Sequence, residues 1–403
     1  MREADVPIKE YAIGIYDGPH ATPKPSDSGP IFLGIKNVTA DGRLDFTEIR
    51  HVSETEFPRW TRRVQPKKDD IVFSYEATLH RYARIPDNFE GCLGRRMALV
   101  RPDPQKVDPR FLHYYFLSPI WRAKMDAITL TGATVNRIPL TNFPNTKVRF
   151  PGLTEQTAIA DILSACDDLI ETNRRRIELL EEAARLLYRE WFVHFRFPGH
   201  DHVKIANGVP EGWERLAASE AFHVNPKRPR DDKGTITYVP MAALSEVGMV
   251  VDQGHFERRQ ASTSVRFQNG DTLFARITPC LENGKTGFIQ FLGDGETACG
   301  STEFIVLSGR RVSNHYVYLT ARQADFRENA IRSMIGSSGR QRVQPSCFDR
   351  YFVAVPPDFL AELFDESVSD IFEQIGNLDQ QSQKLAQARD LLLPRLMNGE
   401  IVL

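Results

Sequence analysis

A heptad pattern between residues 154 and 192 restricts the fold of this chain more than any other feature. Apolar side chains recur there at alternating steps of four and three residues, with Asn173 in the one polar position. That spacing is typical of a helix that packs along its length against another helix, whose register a buried Asn can fix. Such a helix would extend about 58 Å at roughly 1.5 Å per residue, so it needs a partner of similar length. The seam positions are Ile159, Leu163, Cys166, Ile170, Asn173, Ile177, Leu180, Ala184, Leu187 and Trp191.

The C-terminal stretch repeats this pattern 205 residues later, and eight of its ten seam positions are apolar. Pro394 predicts that this second helix is kinked or ends early, and that it is the shorter of the two. Two similar helices at a fixed offset indicate an internal duplication. The second set of seam positions is Phe364, Val368, Ile371, Ile375, Leu378, Ser382, Leu385, Arg389, Leu392 and Leu396.

The stretches before the two helices also carry the same features in the same order. A predicted strand at residues 69–75 corresponds to one at 270–276, and a Gly-containing polar loop at 131–137 corresponds to one at 335–340. Residues 108–125 carry aromatic side chains at helical spacing behind Asp108, which is a candidate N-cap. The halves match in order better than in identity, as expected of one fold that recognises two different things.

Bulk composition limits the class of protein. The chain has 403 residues, a net charge of −2 and no apolar run long enough to span a membrane. It lacks the apolar core of a signal peptide and contains no C-x-x-C pair, so we expect a cytoplasmic protein without zinc ribbons or disulfides. The near-neutral charge argues against indiscriminate nucleic-acid binding but allows local basic faces.

Motifs for catalysis are missing from the sequence. There is no Asn-Pro-Pro-aromatic motif of an adenine methyltransferase and no G-x-x-x-x-G-K-[ST] loop for ATP. The triplet His200-Asp201-His202 is better explained as a solvated loop than as a metal site, since no third ligand is near in sequence. We expect no metal in this chain.

Several segments resemble the specificity subunits of type I restriction-modification systems. The resemblance covers essentially the whole chain and is strongest in the two long helices. The segments that resemble the family's central helix are LTEQ at 153–156, AIADIL at 158–163, DDLIETN at 167–173 and WFV at 191–193. LLLPRLMNGEI at 391–401 resembles the family's C-terminal end, YDGPHATP at 16–23 one type of target recognition domain, and VPEGW at 209–213 the start of a second.

The resemblance implies an α+β architecture in which two target recognition domains of similar mixed α/β fold are separated by two long helices that form an antiparallel coiled coil. The expected domains are residues 1–152, the central helix 153–197, the second domain 198–357 with a linker at 198–208, and the C-terminal helix 358–403. Whether the helices pair within one chain or between two stays open.

The resemblance also implies a function. Each domain would read one half of an asymmetric bipartite site in double-stranded DNA, and the helices would fix the gap between the halves. The subunit would be non-catalytic and hold no cofactor. Two modification subunits would bind S-adenosylmethionine and methylate adenine, and restriction (motor-nuclease) subunits would use ATP and Mg²⁺. No membrane partner is expected.

Candidate DNA contacts are polar residues in loops beside the short strands, because base edges are read by such side chains and phosphates by cations. Arg suits guanine and Asn suits adenine; for any one Arg, a solvated surface charge is about equally plausible. The candidates of the first domain are His20, Thr22, Lys24, Tyr75, Glu76, Thr78, His80, Arg81, Arg95, Arg96, Thr134, Asn136 and Arg137. Those of the second are Lys227, Arg228, Arg230, Arg258, Arg259, Arg276, Lys285, Thr302, Ser337, Ser338, Arg340 and Arg342.

Two other hypotheses stay open at this point. The chain would be a stand-alone nuclease or methyltransferase if its catalytic residues belong to no familiar motif. It would be an assembly scaffold if its globular halves bind protein instead of DNA. Glu181 and Arg185 on the first long helix are interpreted as an ordinary intrahelical ion pair.

Overall fold

The computed structural model describes residues 5–132, 135–229, 234–260, 264–337 and 339–403, which form two compact units. Unit 1 comprises the described residues of Met1–Ile170 together with Lys384–Leu403, and unit 2 comprises those of Glu171–Gln383. Each unit contains one globular domain and a segment of each long helix. The domain boundaries given above stay a prediction.

Unit 1 is built on a four-stranded antiparallel sheet. The strands of unit 1 are β1 (Val6–Pro7), β2 (Ala12–Asp17), β3 (Ser26–Leu33), β4 (Ile71–Ser74), β5 (Tyr82–Arg84), β6 (Gly91–Leu93), β7 (Met97–Pro102) and β8 (Lys147–Val148). The short helices of unit 1 are α1 (Phe57–Trp60), α2 (Pro109–Leu117) and α3 (Pro119–Ile128). The sheet order is β2-β7-β4-β5, and β3 pairs in parallel with β6. Phe73 of β4, Trp121 of α3 and Phe143 meet in the core of this domain.

The segment predicted as one helix over residues 108–125 is two helices, because Pro119 interrupts it. The residue before a proline favours extended backbone, and Ser118 has φ −71° and ψ 152°. Its hydroxyl then caps α3 by accepting from Trp121 N at 3.3 Å. Asp108 caps α2 through Arg110 N at 2.8 Å, as its position in the sequence predicted.

Unit 2 repeats this arrangement. Its strands are β9 (Ile205–Ala206), β10 (Val209–Pro210), β11 (Glu214–Ala217), β12 (Phe222–Val224), β13 (Thr235–Val239), β14 (Glu257–Gln260), β15 (Val265–Gln268), β16 (Thr272–Ala275), β17 (Thr286–Phe288), β18 (Thr297–Gly300), β19 (Phe304–Gly309) and β20 (Phe352–Val355). The sheet β12-β19-β16-β17 has the same order and antiparallel sense as the sheet of unit 1. A parallel pair, β13 with β18, matches β3 with β6.

The remaining helices of the second half are α5 (Ala218–Ala221), α6 (Asn314–Ala321) and α7 (Ala324–Arg332). Like α2 and α3 in unit 1, α6 and α7 follow the last strand of the sheet, and Phe326 of α7 lies in the core with Phe348. Phe348 stands 205 residues after Phe143, and both are fully buried. The predicted fold class, two similar mixed α/β domains with long helices, is therefore confirmed.

The two long helices are α4 (Leu153–Tyr188) and α8 (Asp358–Asn398), called below the central and the C-terminal helix. A π-helical turn at Arg189–Val193 follows the central helix. The prediction that Pro394 makes the second helix the shorter is wrong, since the C-terminal helix has 41 residues and the central helix 36. Leu393, Leu396 and Met397 are buried in the core of unit 1, and this burial offsets the hydrogen bond that Pro394 removes.

The helices run antiparallel within unit 2. Asn173 lies beside Ser382, and Trp191 packs against Phe364 with 5.5 Å between ring centroids. The Asn173 amide is 3% exposed and donates to Gln381 Oε1 at 3.1 Å and Ser382 Oγ at 3.3 Å. A buried amide that is satisfied only in this alignment favours one register of the pair.

All twenty seam positions are buried or partly buried. Those buried are Ile159, Leu163, Asn173, Ala184, Trp191, Phe364, Val368, Ile375, Leu378 and Leu396. Those partly buried are Cys166, Ile170, Ile177, Leu180, Leu187, Ile371, Ser382, Leu385, Arg389 and Leu392.

A polar contact with a carboxylate attaches each domain to the long helix that follows it. Arg110 of α2 binds Asp161 of the central helix at 2.7 Å, and His315 of α6 binds Asp365 of the C-terminal helix at 2.7 Å. His315 stands 205 residues after Arg110, while its partner Asp365 stands one position before Glu366, the residue equivalent to Asp161. Glu181 is more than an intrahelical partner of Arg185, because it is 4% exposed and also accepts from the Tyr318 hydroxyl and from Met249 N.

Asp379 of the C-terminal helix makes the stability of unit 2 depend on pH. Burial raises the pKa of its carboxyl to about 6, with Asp252 adding to the rise and a hydrogen bond from Gln383 opposing it. Because the folded pKa lies above that of the unfolded chain, the free energy of unfolding should fall by about 2 to 3 kcal/mol as pH rises from 4 through 6. Asp379→Asn should remove this slope in urea titrations at a series of pH values; an unaltered slope would contradict the assignment.

Candidate nucleic-acid interface

The polar loop that precedes the central helix is held against the end of β4 by main-chain hydrogen bonds. Residues Leu130 and Arg137 close the loop, and the chain then continues alongside Tyr75. The bonds are Leu130 N to Arg137 O at 2.9 Å, Arg137 N to Leu130 O at 3.2 Å, Ala77 N to Asn136 O at 3.1 Å, Ile138 N to Tyr75 O at 2.8 Å and Tyr75 N to Arg96 O at 3.2 Å. This set of bonds is called the loop frame of unit 1.

Unit 2 contains the same loop frame, bond for bond. The bonds are Ile335 N to Arg342 O at 3.1 Å, Arg342 N to Ile335 O at 3.0 Å, Thr278 N to Gln341 O at 3.2 Å, Val343 N to Arg276 O at 2.8 Å and Arg276 N to Glu303 O at 3.0 Å. Since main-chain atoms make all of these bonds, the side chains can differ without loss of the frame.

The two frames present different chemistry at equivalent positions. Tyr75 in unit 1 corresponds to Arg276 in unit 2, and Arg96 corresponds to Glu303. Arg137 corresponds to Arg342. The two frames therefore carry their cationic, anionic and aromatic side chains at different positions of the same backbone arrangement. Such a difference allows two related surfaces to recognise different partners.

The first loop frame lies beside a network of charged and aromatic side chains. His20 contacts Asp17 at 3.1 Å through Nε2 and the Tyr75 hydroxyl at 3.4 Å through Nδ1. Glu76 and Arg96 form an ion pair at 3.3 Å. Burial raises the pKa of Tyr75, and the carboxylates of Asp17 and Glu76 add to the rise, so its hydroxyl is a hydrogen-bond donor at neutral pH.

The second loop frame presents an arginine fixed by a carboxylate. Arg342 Nε lies 3.0 and 2.9 Å from the two oxygens of Glu303, and Nη2 lies 2.6 Å from Oε1. This bidentate contact orients the guanidinium plane while the residue stays exposed. Arg276 donates from Nη2 to Val343 O at 3.1 Å.

Next to Arg276 the surface of unit 2 opens into a cleft of about 590 Å³. Four predicted DNA contacts line it together, although they are far apart in sequence. They are Lys227, Arg228, Arg276 and Thr302. Arg266 lines the same cleft and was not predicted.

The predicted residues differ in accessibility. The exposed ones are His20, Thr22, Lys24, Thr78, Arg95, Asn136, Arg137, Lys227, Arg258, Arg259, Thr302, Ser337, Arg340 and Arg342. Glu76, His80, Arg81, Arg96, Arg228, Arg276 and Lys285 are partly buried, and Tyr75 is buried. Thr134, Arg230 and Ser338 lie outside the described residues.

Internal contacts give some of these residues a structural role. Arg228 binds both oxygens of the buried Asp271, His80 binds Asp126 at 2.7 Å, and Lys285 Nζ donates to Met241 O at 3.2 Å. Burial raises the pKa of the Asp271 carboxyl, and the Arg228 guanidinium opposes the rise, so this arginine favours the charged form of the carboxyl group.

Gln341 and Glu303 belong to the loop frame but were missed in the sequence. Gln341 stands 205 residues after Asn136, so the offset that aligns Arg137 with Arg342 would have found a second amide. Glu303 is recognised as a site residue only by its contact with Arg342, 39 residues away, and no local sequence signal indicates it.

Within the described ranges, no three His, Cys, Asp or Glu side chains are grouped to hold a metal ion. No helix among the described residues is long and apolar enough to cross a membrane.

Comparison with known proteins finds one family to which the chain is similar. Residues 38–182 match the type I restriction modification DNA specificity domain. The chain is 23% identical to the MjaIX specificity subunit of Methanocaldococcus jannaschii over 73% of this chain and 69% of that one. It is 22% identical to the HindI specificity subunit of Haemophilus influenzae over 83% of this chain and 87% of that one.

A solved structure has the same fold. The crystal structure of the type I restriction-modification system S subunit from M. genitalium superposes with a TM-score of 0.53 at 15% identity, covering 98% of this chain and 95% of that one. The chain is therefore similar to type I restriction-modification specificity subunits in its sequence matches, in its duplicated domains and in its long helices.

Proposed function

We propose that the two globular domains read the two halves of an asymmetric bipartite DNA site through their loop frames. A specificity subunit is the non-catalytic DNA-recognition component of a type I restriction-modification system, and the alternative of a stand-alone enzyme is not favoured. Each loop frame would read one half of the site.

The repeated loop frame carries this proposal. Each frame presents exposed polar side chains beside the ends of strands, and base edges are distinguished by the pattern of donors and acceptors that faces them. The guanidinium groups of Arg137 and Arg342 carry paired N–H donors of the kind that bind guanine O6 and N7. The Asn136 amide in unit 1 carries the donor and acceptor that suit adenine. Because the side chains differ at most equivalent positions, the two half-sites should differ in sequence.

The subunit associates with DNA and with the other subunits of a restriction-modification complex. We further assign two modification subunits, which bind S-adenosylmethionine and methylate adenine, and restriction subunits that use ATP and Mg²⁺. We also place the complex in the cytoplasm, where it meets DNA. The chain itself supplies recognition and needs no cofactor for it.

Mapping methylated adenines tests the proposed function. A host that contains this chain and its modification subunits should methylate a single asymmetric bipartite motif, read by sequencing its genome. The purified complex should protect that motif in a footprint more strongly than an unrelated duplex. Equal binding to all duplexes would contradict the proposal, and so would nuclease or methyltransferase activity of the chain alone with Mg²⁺ or S-adenosylmethionine.

Shortening both long helices should shorten the gap between the half-sites. We choose residues 170–176 and 379–385, because this removes Asn173 together with Gln381 and Ser382 and leaves no buried amide unpaired. Each deletion removes about 10.5 Å of helix, which equals about three base pairs at roughly 3.4 Å each. The mapped motif should keep its half-sites and lose about three base pairs of spacer; an unchanged spacer would refute the role of the helices as a ruler.

A further inference from the structure

The cleft of unit 2 gathers positive charge from three separate parts of the chain. Lys227 follows β12, Arg266 belongs to β15 and Arg276 follows β16. Thr302, which precedes β19, adds a hydroxyl from a fourth part. Ser264 completes the polar wall. The cleft is thus assembled by the fold and is not the product of one basic run in the sequence.

The charged side chains that line this cleft are all positive. Four cations line it, Arg228 among them, and none of its described lining residues is a carboxylate. Arg228 is bound by Asp271, but neither Lys227 nor Arg276 forms an ion pair within the described part of the chain. Cations in a concave surface with low-dielectric walls reinforce one another and concentrate anions.

The equivalent surface of unit 1 carries a different charge. Sheet registers place Ile15 opposite Val100 and Val224 opposite Leu307, so Gly18 corresponds to Lys227 and Asp17 corresponds to Pro226. The loop frames place Tyr75 where unit 2 has Arg276. Two cations of the cleft are therefore replaced by neutral residues, a carboxylate is added beside them, and Arg95 stands where unit 2 has Thr302.

We propose that this cleft binds a phosphodiester of the DNA backbone and that unit 2 is the anchoring half of the reader. The proposal rests on the proposed function, since it names the part of the same DNA that this cleft holds. Contacts to phosphate position a protein on the duplex and carry no sequence information. Lys227 and Arg276 supply the charge, and the Thr302 hydroxyl supplies a further donor next to the loop frame.

The test is the salt dependence of DNA binding by the complex of this chain with its modification subunits. Lys227→Ala is the variant, because the residue is exposed and its loss leaves no buried group unpaired. Lys204→Ala is the control, an exposed lysine of unit 2 outside the cleft. Dissociation constants are measured on a duplex with the mapped motif and on an unrelated duplex, each over a range of NaCl concentrations.

Loss of one phosphate contact predicts a definite pattern. Lys227→Ala should weaken binding to both duplexes by the same factor, from a few-fold to about tenfold, and should make the slope of log K against log salt shallower by about 0.9. Lys227→Arg should keep the slope of the wild type, and Lys204→Ala should leave both constants unchanged. The methylated motif should stay the same.

Three results would contradict the proposal that this cleft binds a DNA phosphodiester. They are an unchanged salt slope in Lys227→Ala, weakened binding to the specific duplex alone, and a changed motif. Calorimetric titration with ATP and with inorganic phosphate separates a free phosphate ligand from DNA. Micromolar binding of either that Lys227→Ala abolishes would also overturn the assignment. If the wild-type complex shows no sequence preference, the proposed function fails instead, and the two failures are distinguishable.

Discussion

Arg137→Ala is expected to relax the half-site read by unit 1 and to leave the other half-site intact. Arg137 is exposed at the end of its loop, and a bidentate contact between arginine and guanine is worth about 1 to 3 kcal/mol of discrimination. The variant should therefore lose about 5- to 150-fold of its preference at one position. Sequencing of methylated adenines in a host that carries the variant should show additional bases at that position only.

Arg342→Ala is the matched variant in unit 2, because it occupies the same position in the second loop frame. It should relax the opposite half-site. Glu303→Ala should have a smaller effect at the same position, since it removes the carboxylate that orients Arg342 but keeps the guanidinium. If either arginine variant weakened binding to all sequences equally and made the salt slope shallower, that arginine would contact phosphate instead of a base.

Arg101→Ala is expected to destabilise unit 1 by about 3 to 5 kcal/mol, because it leaves the carboxylate of Asp70 buried without its partner. Asp70 is 1% exposed and accepts from Arg101 Nε at 2.8 Å and Nη2 at 2.7 Å. The loss should appear as a lower urea midpoint for the unfolding of the chain.

Arg84→Ala is the control for that measurement. Arg84 pairs with Asp69 at a similar 2.7 Å, but both side chains are more than a third exposed, so the cost should stay below about 1 kcal/mol. The double variant Asp70→Leu with Arg101→Met should recover most of the stability, since apolar residues of similar volume replace a buried ion pair at little cost. If Arg101→Ala and Arg84→Ala lowered the free energy of unfolding equally, burial of Asp70 would not contribute to the effect of Arg101→Ala.

Much of the fold could be predicted because it depends on periodicity and on local signals. The central helix begins at Leu153, directly after Pro151 and Gly152, and the C-terminal helix begins at Asp358 after two prolines. The constant offset of 205 residues paired Phe143 with Phe348 and Arg137 with Arg342 without any structure. Repetition served as an internal alignment, which a single sequence seldom offers.

The errors arose where tertiary contacts override a local rule. Pro394 is compatible with a continuous helix because its neighbours Leu393, Leu396 and Met397 are buried. Pro119 ends a helix that the aromatic spacing alone would have continued.

The same limit applies to the candidate site. Arg228 stays a predicted DNA contact, but its ion pair with Asp271 could not be predicted, because the sequence does not show which of many carboxylates an arginine meets. Glu303 and Arg342 are 39 residues apart, so their pairing depends on the sheet that brings them together.

The main-chain construction of the loop frame has a consequence for evolution. A point mutation at Glu76, Asn136 or Arg137 that keeps the main-chain N–H changes what the loop offers to its target without removing any bond that holds the loop in place. New target preferences can therefore accumulate through neutral drift in one half of the protein while the other half keeps its target, and lineages can diversify their restriction barrier without refolding the subunit.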